Sequence, residues 1–321
     1  MKVITGASGF IGSCMLGHLN QNGISDIILV DDFSNPDKNK NLNDKDFVRK
    51  IHRDEFIKYL SLNHQSIDFI YHLGARTDTA ETDLELFNRL NLNYSKEIWK
   101  ACIQFKIPLI YASSAATYGN GNLGFKDEHH LIPLLKPLNA YADSKNDFDK
   151  WVLKQSSTPP LWFGLKFFNV FGPNEYHKSK MASVILHAFK QIISSDKVQL
   201  FKSHHPDIED GNQKRDFIYI KDLFKVIDFL SHKNTDSGIY NIGTGLARSY
   251  YDLANIIFDT LNKTPQIDFI ETPLAFRKNY QYFTEASLVK LKSIGYTESF
   301  YTLEEGISDY ILKYLRDEKY Y

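Results

Sequence analysis

The sequence predicts an α/β protein: a doubly wound parallel sheet with helices on both faces, followed by a smaller C-terminal domain. In the first half of the chain, short runs rich in β-branched and aromatic residues alternate with longer helical stretches. This alternation is typical of parallel strands joined by crossover helices. Three closely spaced glycines follow the first of these runs. The 321 residues are 43% hydrophobic, which is enough for one large domain or two modest ones.

The first half of the chain is expected to supply most of the sheet. The predicted strands are residues 1–5, 26–30, 68–72, 108–112 and 161–167, and the predicted helices are residues 10–22, 83–105 and 139–155. A further strand is expected just before Arg53. After Phe168 the alternation loosens, and strands near residues 199, 217, 238 and 266 are interleaved with helices and a polar loop. We therefore predict a first domain at residues 1–168 and a second at residues 169–321. The boundary between them is soft, because later segments can return to the first domain.

The charge and cysteine content exclude several classes of protein. There are 38 basic and 39 acidic side chains, so the formal net charge is -1, which argues against a nucleic-acid partner bound through overall charge. Cys14 and Cys102 cannot form a disulfide framework or a zinc module, and we expect them to be reduced. The sequence shows no secretory signal and no apolar run near the ~20 residues of a membrane span. It therefore indicates a cytoplasmic protein with no membrane partner.

Two pairs of adjacent histidines are the only sequence feature that could suggest a metal ion. They are His129-His130 and His204-His205, both in polar stretches. Adjacent residues do not share a helix face, and the pairs lack the spacing of common metal ligands. We therefore expect solvated loop histidines and no metal site.

The three glycines near the N-terminus predict a dinucleotide site. Gly6, Gly9 and Gly12 stand at the junction of the first strand and the first helix. There the first glycine allows a tight turn, the second lets the backbone approach a pyrophosphate, and the third lets helix and strand pack closely. The pyrophosphate would lie at the helix N-terminus, where free N–H groups and the helix dipole attract an anion. The first domain is therefore predicted to be of the Rossmann type.

Charged residues after the second strand bear on the choice of cofactor. Asp31 and Asp32 end that strand, where an acid binds the adenosine ribose and favours NAD over NADP. Lys38 and Arg53 follow, and either cation could reach a 2′-phosphate. The residues alone therefore leave NAD and NADP open. The other predicted cofactor contacts are Phe10, Ile11, Leu73, Gly74, Ala75, Arg76, Thr77, Asn91, Lys145 and Val170.

A tyrosine and a lysine four residues apart point to proton transfer. Tyr141 and Lys145 share one face of a predicted helix, where the lysine cation would lower the pKa of the phenol and could hold the cofactor ribose. Tyr176 and Lys180 have the same spacing, so context decides between the pairs. Ser114 ends the fifth strand, and its hydroxyl can bond the substrate oxygen that Tyr141 protonates. We predict Ser114, Tyr141 and Lys145 as the catalytic set, and we expect the serine before Ser114 to bond backbone.

These motifs resemble those of the extended short-chain dehydrogenases/reductases. The shared features are the glycine motif, Ser114, Tyr141-x-x-x-Lys145, and two later segments, Arg215-Asp216-Phe217-Ile218-Tyr219-Ile220-x-Asp222 and Asn241-Ile242-Gly243-Thr244-Gly245. The resemblance covers essentially the whole chain. It implies an NAD(P)-dependent enzyme that acts on a nucleotide-activated sugar, with the second domain binding the substrate.

A narrower resemblance comes from two further segments. The motif His177-Lys178-x-x-Met181-Ala182-Ser183, with Tyr280-Gln281-x-Phe283-Thr284, is similar to motifs of the ADP-heptose 6-epimerases of lipopolysaccharide core synthesis. Such enzymes oxidise C6 of the heptose to a transient ketone and reduce it again on the opposite face. The resemblance implies that Tyr141 is the acid/base for one face and Lys178 for the other. It also implies NADP as cofactor and a homo-oligomer, by analogy a pentamer.

The same resemblance implies which residues hold the substrate. Arg215 would grip the diphosphate, since a guanidinium binds phosphate through two parallel hydrogen bonds, and Phe201 would cover the adenine. The full predicted set is Ser114, Asn169, Lys180, His187, Phe201, Lys202, Ser203, Arg215 and Tyr280. The chain departs from the family pattern at Lys180, at Asn279 and in a long loop at residues 203–213. These departures all concern substrate contacts rather than the chemistry.

Two other functions are compatible with the same motifs. One is a different nucleotide-sugar epimerase, such as a hexose 4-epimerase. A 4,6-dehydratase is disfavoured because Ala115 and Ala116 follow Ser114 where such an enzyme needs an acidic pair. The other is a scaffold that senses dinucleotides without catalysis. It is disfavoured because Tyr141 and Lys145 are both present.

Overall fold

A seven-stranded parallel sheet forms the centre of this computed structural model, which describes residues 1–79, 81–232, 236–277 and 280–321. The described strands are β1 (Lys2–Thr5), β2 (Ile27–Asp31), β3 (Arg49–His52), β4 (Phe69–His72), β5 (Leu109–Ser114), β6 (Trp162–Phe167), β7 (Asn169–Phe171), β8 (Val198–Phe201), β9 (Lys214–Tyr219), β10 (Gly238–Ile242), β11 (Ala247–Ser249) and β12 (Ile267–Ile270). The central sheet has the order β10-β6-β5-β4-β1-β2-β3, and all its neighbouring strands are parallel. The predicted doubly wound sheet is confirmed.

Helices flank this sheet. The described helices are α1 (Phe10–Gln21), α2 (Pro36–Asn39), α3 (Arg53–Asn63), α4 (Leu84–Phe87), α5 (Tyr94–Phe105), α6 (Ala140–Val152), α7 (Val184–Ser195), α8 (Ile220–His232), α9 (Tyr250–Thr260), α10 (Leu274–Arg277), α11 (Val289–Ser293) and α12 (Leu303–Tyr310). A π-helical segment at Asn88–Asn93 joins α4 to α5, so the helix predicted over residues 83–105 has three parts. Among the described helices, none is both long and apolar enough to cross a bilayer.

The apolar runs in the sequence become the strands because both faces of the sheet are covered. All five residues of β2 are buried, and the interior residues of β1, β4 and β5 join the same hydrophobic core. Strands of a parallel sheet between two helix layers are continuously apolar rather than alternating. The strands therefore present their polar residues at their carboxyl ends, which is where ligands bind in such folds.

The second half of the chain builds two smaller sheets and also returns to the large one. Strand β9 lies between β7 and β11, and β8 pairs with β12. Strand β10 pairs in parallel with β6 at the edge of the central sheet, and α8 packs against α1. Helix α8 and strand β10 therefore belong to the central sheet and its helix layers. The division at residues 168 and 169 remains a prediction.

Strand β5 reaches Ser114, the end predicted for the fifth strand, and Ser113 and Ser114 pair with Lys166 and Phe167 of β6. The end of the predicted helix over residues 139–155 differs from the prediction. Helix α6 ends at Val152 rather than 155, and its last carbonyls are met by the N–H groups of a turn. Strand β5 thus carries Ser114 to the carboxyl end of the sheet, beside α6.

Candidate active site

The glycine loop forms a close-packed cradle at the head of α1. Gly6 has φ +66°, and a Cβ on it would lie 2.4 Å from the Cα of Gly74. A Cβ on Gly12 would lie 2.2 Å from the carbonyl oxygen of Gly6. Gly9 begins the helix without a side-chain cap, so the first N–H groups of α1 stay available for an anion. The buried hydroxyl of Ser8 has no partner in the described part of the chain, and these features fit a bound dinucleotide.

Two ion pairs occupy the carboxyl end of β2. Lys38 Nζ lies 2.7 Å from Asp31 Oδ1, and an Arg53 terminal nitrogen lies 2.8 Å from Asp32 Oδ2. The Asp31 carboxylate also accepts the backbone N–H of Ser8 at 3.0 Å. Although burial opposes ionisation, Lys38 holds the pKa of Asp31 below its usual value. The structure thus brings together all four residues predicted to choose between NAD and NADP.

The loop after β4 is held against the catalytic helix by Asn91. Its side-chain amide accepts the Arg76 N–H at 2.8 Å and donates to the Arg76 carbonyl at 3.0 Å. It also donates to the Ser144 hydroxyl of α6 at 3.0 Å. Asn91 is buried and bonds the backbone of the loop that contains Leu73, Gly74, Ala75, Arg76 and Thr77. Its contact with the cofactor stays a prediction.

The three residues predicted as the catalytic set meet between β5 and α6. The Ser114 hydroxyl interacts with the Tyr141 phenol and lowers its pKa. One turn further along α6, Lys145 Nζ donates to the Ala112 carbonyl at 2.9 Å. Asn139 starts the helix by accepting the Ala142 N–H at 2.9 Å, which fixes where Tyr141 falls on it.

Burial sets the protonation behaviour of this set. It lowers the pKa of Lys145 to about 8. It raises the pKa of Tyr141, against the hydrogen bond from Ser114 that lowers it. A lysine that can lose its proton near neutral pH, beside a phenol that shares a hydrogen bond with a serine, can move a proton to or from a substrate oxygen.

Lys178 lies next to the head of α1. It belongs to a short helical segment, Tyr176–Met181, that is kinked at Ser179 with φ 48°. Its Nζ lies 5.3 Å from the centre of the Phe10 ring. Burial lowers the pKa of Lys178, and the charge of Glu175 opposes this. Lys178 therefore faces the cofactor cradle with a lowered affinity for its proton.

Several residues that hold the Lys178 segment escaped the sequence analysis. Buried Asn41 donates to the carbonyls of Ser8 and Asn174, at 2.9 and 3.0 Å, and contacts His177 Nδ1. Buried Glu175 accepts hydrogen bonds from the backbone and hydroxyl of Ser183 and from Tyr310. Asn41 lies in a polar stretch with no periodic signal, whereas Glu175 directly precedes the segment that suggested Lys178 and could have been noticed there.

Among the predicted substrate residues, Arg215 is packed against two aromatic rings. The Arg215 guanidinium lies between the rings of Tyr250 and Tyr280, 5.7 and 5.6 Å from their centres. It donates to the carbonyls of Lys214 and Gln281. Since a guanidinium has five N–H donors, others remain for a phosphate.

The other predicted substrate residues lie on several elements. Asn169 is exposed at the start of β7, His187 is half-buried on α7, Lys180 is exposed, and Phe201 ends β8. Lys202 forms an ion pair with Glu271, and the Ser203 hydroxyl contacts the His205 carbonyl. Val170, predicted at the cofactor, is half-buried in β7. The departure at Asn279 lies outside the described residues.

Two expectations about polar residues were wrong. Ser113 does not bond backbone: its hydroxyl donates to the Asp149 carboxylate at 2.7 Å, because α6 packs directly on β5. His129 is not solvated: its Nε2 accepts the Ile239 N–H of edge strand β10 at 3.1 Å and lies 2.9 Å from Lys290 Nζ. Burial lowers its pKa to about 4. Within the described ranges no three potential metal ligands cluster.

Comparison with known proteins places this site in a family. Residues 2–243 match the NAD dependent epimerase/dehydratase family. The ADP-L-glycero-D-manno-heptose-6-epimerases of Fusobacterium nucleatum and Nitratidesulfovibrio vulgaris are each 42% identical to the chain, over 100% and 98% of both sequences respectively. The crystal structure of the Helicobacter pylori enzyme of that name superposes with a TM-score of 0.80 at 27% identity, covering 97% of this chain and 94% of its own. The resemblance drawn from the motifs is confirmed, and the chain belongs to the NAD dependent epimerase/dehydratase family.

Proposed function

We propose that this chain interconverts ADP-D-glycero-D-manno-heptose and ADP-L-glycero-D-manno-heptose by inverting C6. The observation that carries the proposal is full-length similarity at 42% identity to curated proteins of that name. It is supported by the meeting of Ser114, Tyr141 and Lys145 beside a glycine cradle that suits a dinucleotide. When bound, a nicotinamide cofactor would supply reversible hydride transfer at C6, which the inversion requires.

The residues of the chain then have separate tasks. Tyr141 takes the proton of the C6 hydroxyl as the ketone forms, and the Ser114 hydroxyl bonds the same oxygen. Lys145 stabilises the ionised phenol and offers its ammonium to the cofactor ribose. Because the C6 hydroxyl occupies different places in the two epimers, a second acid/base is needed, and Lys178 takes that role. Arg215 binds the diphosphate, with the other predicted substrate residues around it.

We also infer that NADP is the natural cofactor. Lys38 Cε lies 3.7 Å from where a Cβ of Gly9 would be, so the lysine reaches over the glycine loop. Arg53 stands beside it at Asp32. A 2′-phosphate could exchange for the carboxylates that these cations now contact, whereas NAD would leave both ion pairs unchanged.

The function is tested by nuclear magnetic resonance without any added reductant. Purified protein is incubated with ADP-D-glycero-D-manno-heptose, and the C6 proton signal is followed. We expect a mixture of the two C6 epimers, and we expect Tyr141→Phe to lose this conversion while still retaining the cofactor. An unchanged spectrum with cofactor confirmed in the wild-type protein would reject the heptose substrate. UDP-glucose in a parallel sample then tests for a hexose 4-epimerase.

The assembly and location are further parts of the proposal. We infer a homo-oligomer, a pentamer by resemblance to the heptose epimerases, and light scattering should give about five times the 37.1 kDa chain mass. A monomer at micromolar concentration would reject it. We infer a cytoplasmic location, supported by the free, buried thiols of Cys14 and Cys102, which suit a reducing compartment. Fractionation of cells that produce the protein tests this.

A further inference from the structure

A buried ion pair lies directly behind the catalytic set. Asp149 is on α6, one turn beyond Lys145 and two turns beyond Tyr141, and Lys166 is on β6. Their Nζ and Oδ2 atoms are 2.7 Å apart, and neither side chain is exposed. We propose that Asp149 and Lys166 are positioning residues that align Ser114 with Tyr141, and that their balanced charges set the electrostatic environment of Lys145. The inference rests on the proposed catalytic set.

The first line of evidence is how Asp149 fastens the catalytic helix to β5. Its Oδ2 accepts the Ser113 hydroxyl at 2.7 Å, and its Oδ1 accepts the Tyr111 hydroxyl at 3.1 Å. These two residues alternate along β5 just before Ser114. Asp149 therefore holds the register between the strand that carries Ser114 and the helix that carries Tyr141.

The second line of evidence is how Lys166 supports the turn after Ser114. Its Nζ donates to the Thr117 hydroxyl at 2.7 Å, and that hydroxyl donates to the Ser114 carbonyl at 2.7 Å. The Ser114 hydroxyl in turn accepts the Ala116 N–H at 3.1 Å. The ammonium thus braces the short turn that orients Ser114 toward Tyr141.

Stability alone does not explain such a pair. Removing two charges from water costs several kcal/mol per ion, and the attraction between them offsets this only when the geometry is good. Apolar residues of similar volume would often stabilise the same place equally well or better. What an ion pair supplies, and apolar packing does not, is directed hydrogen bonds to Ser113 and Thr117 together with a net charge of zero.

The electrostatic consequence reaches Lys145. Burial lowers its pKa to about 8, and the Asp149 charge works in the opposite direction. The Asp149 charge likewise adds to the burial that raises the pKa of Tyr141. The titratable groups that act on the pair are Tyr111 on β5, Tyr118 in the turn, Asp127 and His129 before α6, and Tyr141 and Lys145 on α6 itself. Lys290 on α11 contacts His129, and His72 on β4 lies near Lys145.

The test removes one charge, then the other, then both. Asp149→Asn leaves a net charge of +1 behind the site, Lys166→Met leaves -1, and the double variant restores zero. The Lys145 signal is followed against pH by NMR with lysine labelled with 13C at Cε, and is assigned by its loss in Lys145→Met. This readout needs neither substrate nor turnover. We expect the pH midpoint of the Lys145 titration to fall by about one unit in Asp149→Asn and to rise by about one unit in Lys166→Met. In the double variant it should return to the wild-type value.

A matched control is available on α8. Asp222 is also a buried carboxylate, and it is paired with Lys225 at 2.7 Å. Asp222→Asn should lower thermal stability without moving the Lys145 midpoint. The pH profile of kcat should shift in the same directions as the midpoint. If Lys166→Met does not fold, the proposed charge balance is still tested by the shift in Asp149→Asn and its reversal in the double variant.

The results separate the two proposals. The proposed charge balance would be overturned if both single variants left the Lys145 midpoint unchanged or moved it in the same direction. It would also be overturned if the midpoint of the double variant did not return to the wild-type value. A wild-type protein that is inactive on ADP-heptose would count against the proposed function instead. The Lys145 titration would then still decide this inference, since it is measured without substrate.

Discussion

At the scale of single residues, burial is the main influence on the proposed acid/base groups. It lowers the pKa of Lys145 to about 8, lowers the pKa of Lys178 and raises that of Tyr141. Each shift is opposed by a specific neighbour: Asp149 for Lys145, Glu175 for Lys178 and the Ser114 hydroxyl for Tyr141. The pKa values of these proposed acid/base groups are thus set by pairs of residues rather than by single side chains.

Replacing Lys178 tests whether a second acid/base exists. Lys178→Met keeps a flexible aliphatic side chain but removes the ammonium that lies over the Phe10 ring. We expect kcat for epimerisation to fall by roughly 100-fold or more, with KM little changed, because Tyr141 alone cannot serve both faces. Steady-state kinetics measure both constants, and Lys190→Met, at an exposed position of α7, is the control. A raised KM with an unchanged kcat would instead make Lys178 a phosphate ligand.

The proposed preference for NADP rests on two cations, Lys38 and Arg53, that lie beside the end of β2. The double variant Lys38→Ala/Arg53→Ala should bind NADP at least about 100-fold more weakly, because charge-assisted hydrogen bonds to a phosphate contribute about 1.5–3 kcal/mol each. NAD binding should change far less. Titration calorimetry on cofactor-free protein gives both dissociation constants, and Lys40→Ala, which changes an exposed cation nearby, is the control. Equal losses for NADP and NAD would reject the 2′-phosphate assignment.

At the scale of elements, sequence patterns predicted those features that depend on residues close together in the chain. The glycines at the β1–α1 junction and the Tyr141–Lys145 spacing were recognisable because their parts are adjacent in sequence or one helical turn apart. Asn41 was missed because its partners, Ser8 and Asn174, are brought to it only by the folded chain. The Asp149–Lys166 pair and the His129 cap on β10 were missed for the same reason.

Asn41 joins two functional elements, so its loss should affect both. Asn41→Ala leaves the buried carbonyls of Ser8, in the glycine loop, and Asn174, before Lys178, without their donor. We expect unfolding free energy to fall by about 2 kcal/mol, together with weaker cofactor binding and lower kcat. Urea unfolding, calorimetry and kinetics measure the three effects.

The control for this change lies in the same stretch of chain. Asn43 is exposed, so Asn43→Ala should leave stability, cofactor binding and kcat close to wild type. If Asn41→Ala lowered stability but left cofactor binding and kcat unchanged, Asn41 would be a packing residue that does not connect the two loops.

At the scale of the whole molecule, histidines that are neutral in the folded protein make its stability depend on pH. Burial lowers the pKa of His72 to about 3, and those of His129 and His177 to about 4. The three lie in the central sheet, at its edge and in the Lys178 segment. Their ordinary value is 6.5, so below that pH the unfolded chain binds protons that the folded chain does not. This contribution to stability is complete above pH 6.5 and is lost as pH falls toward 3–4.

His72 allows this linkage to be measured separately. Its ring nitrogens bond the Thr5 and Ser95 hydroxyls at 2.7 and 2.9 Å, so His72→Asn should lower stability at pH 7. Between pH 7 and pH 5, however, the unfolding free energy of the variant should fall by about 2 kcal/mol less than that of wild type, because the variant lacks the group that protonates on unfolding. Carboxylates contribute equally to both proteins and cancel in the comparison. Urea unfolding at the two pH values gives this difference, with His130→Asn at an exposed position as control. Parallel losses in wild type and His72→Asn would contradict this prediction, because they would mean that His72 has the same pKa in the folded and unfolded protein.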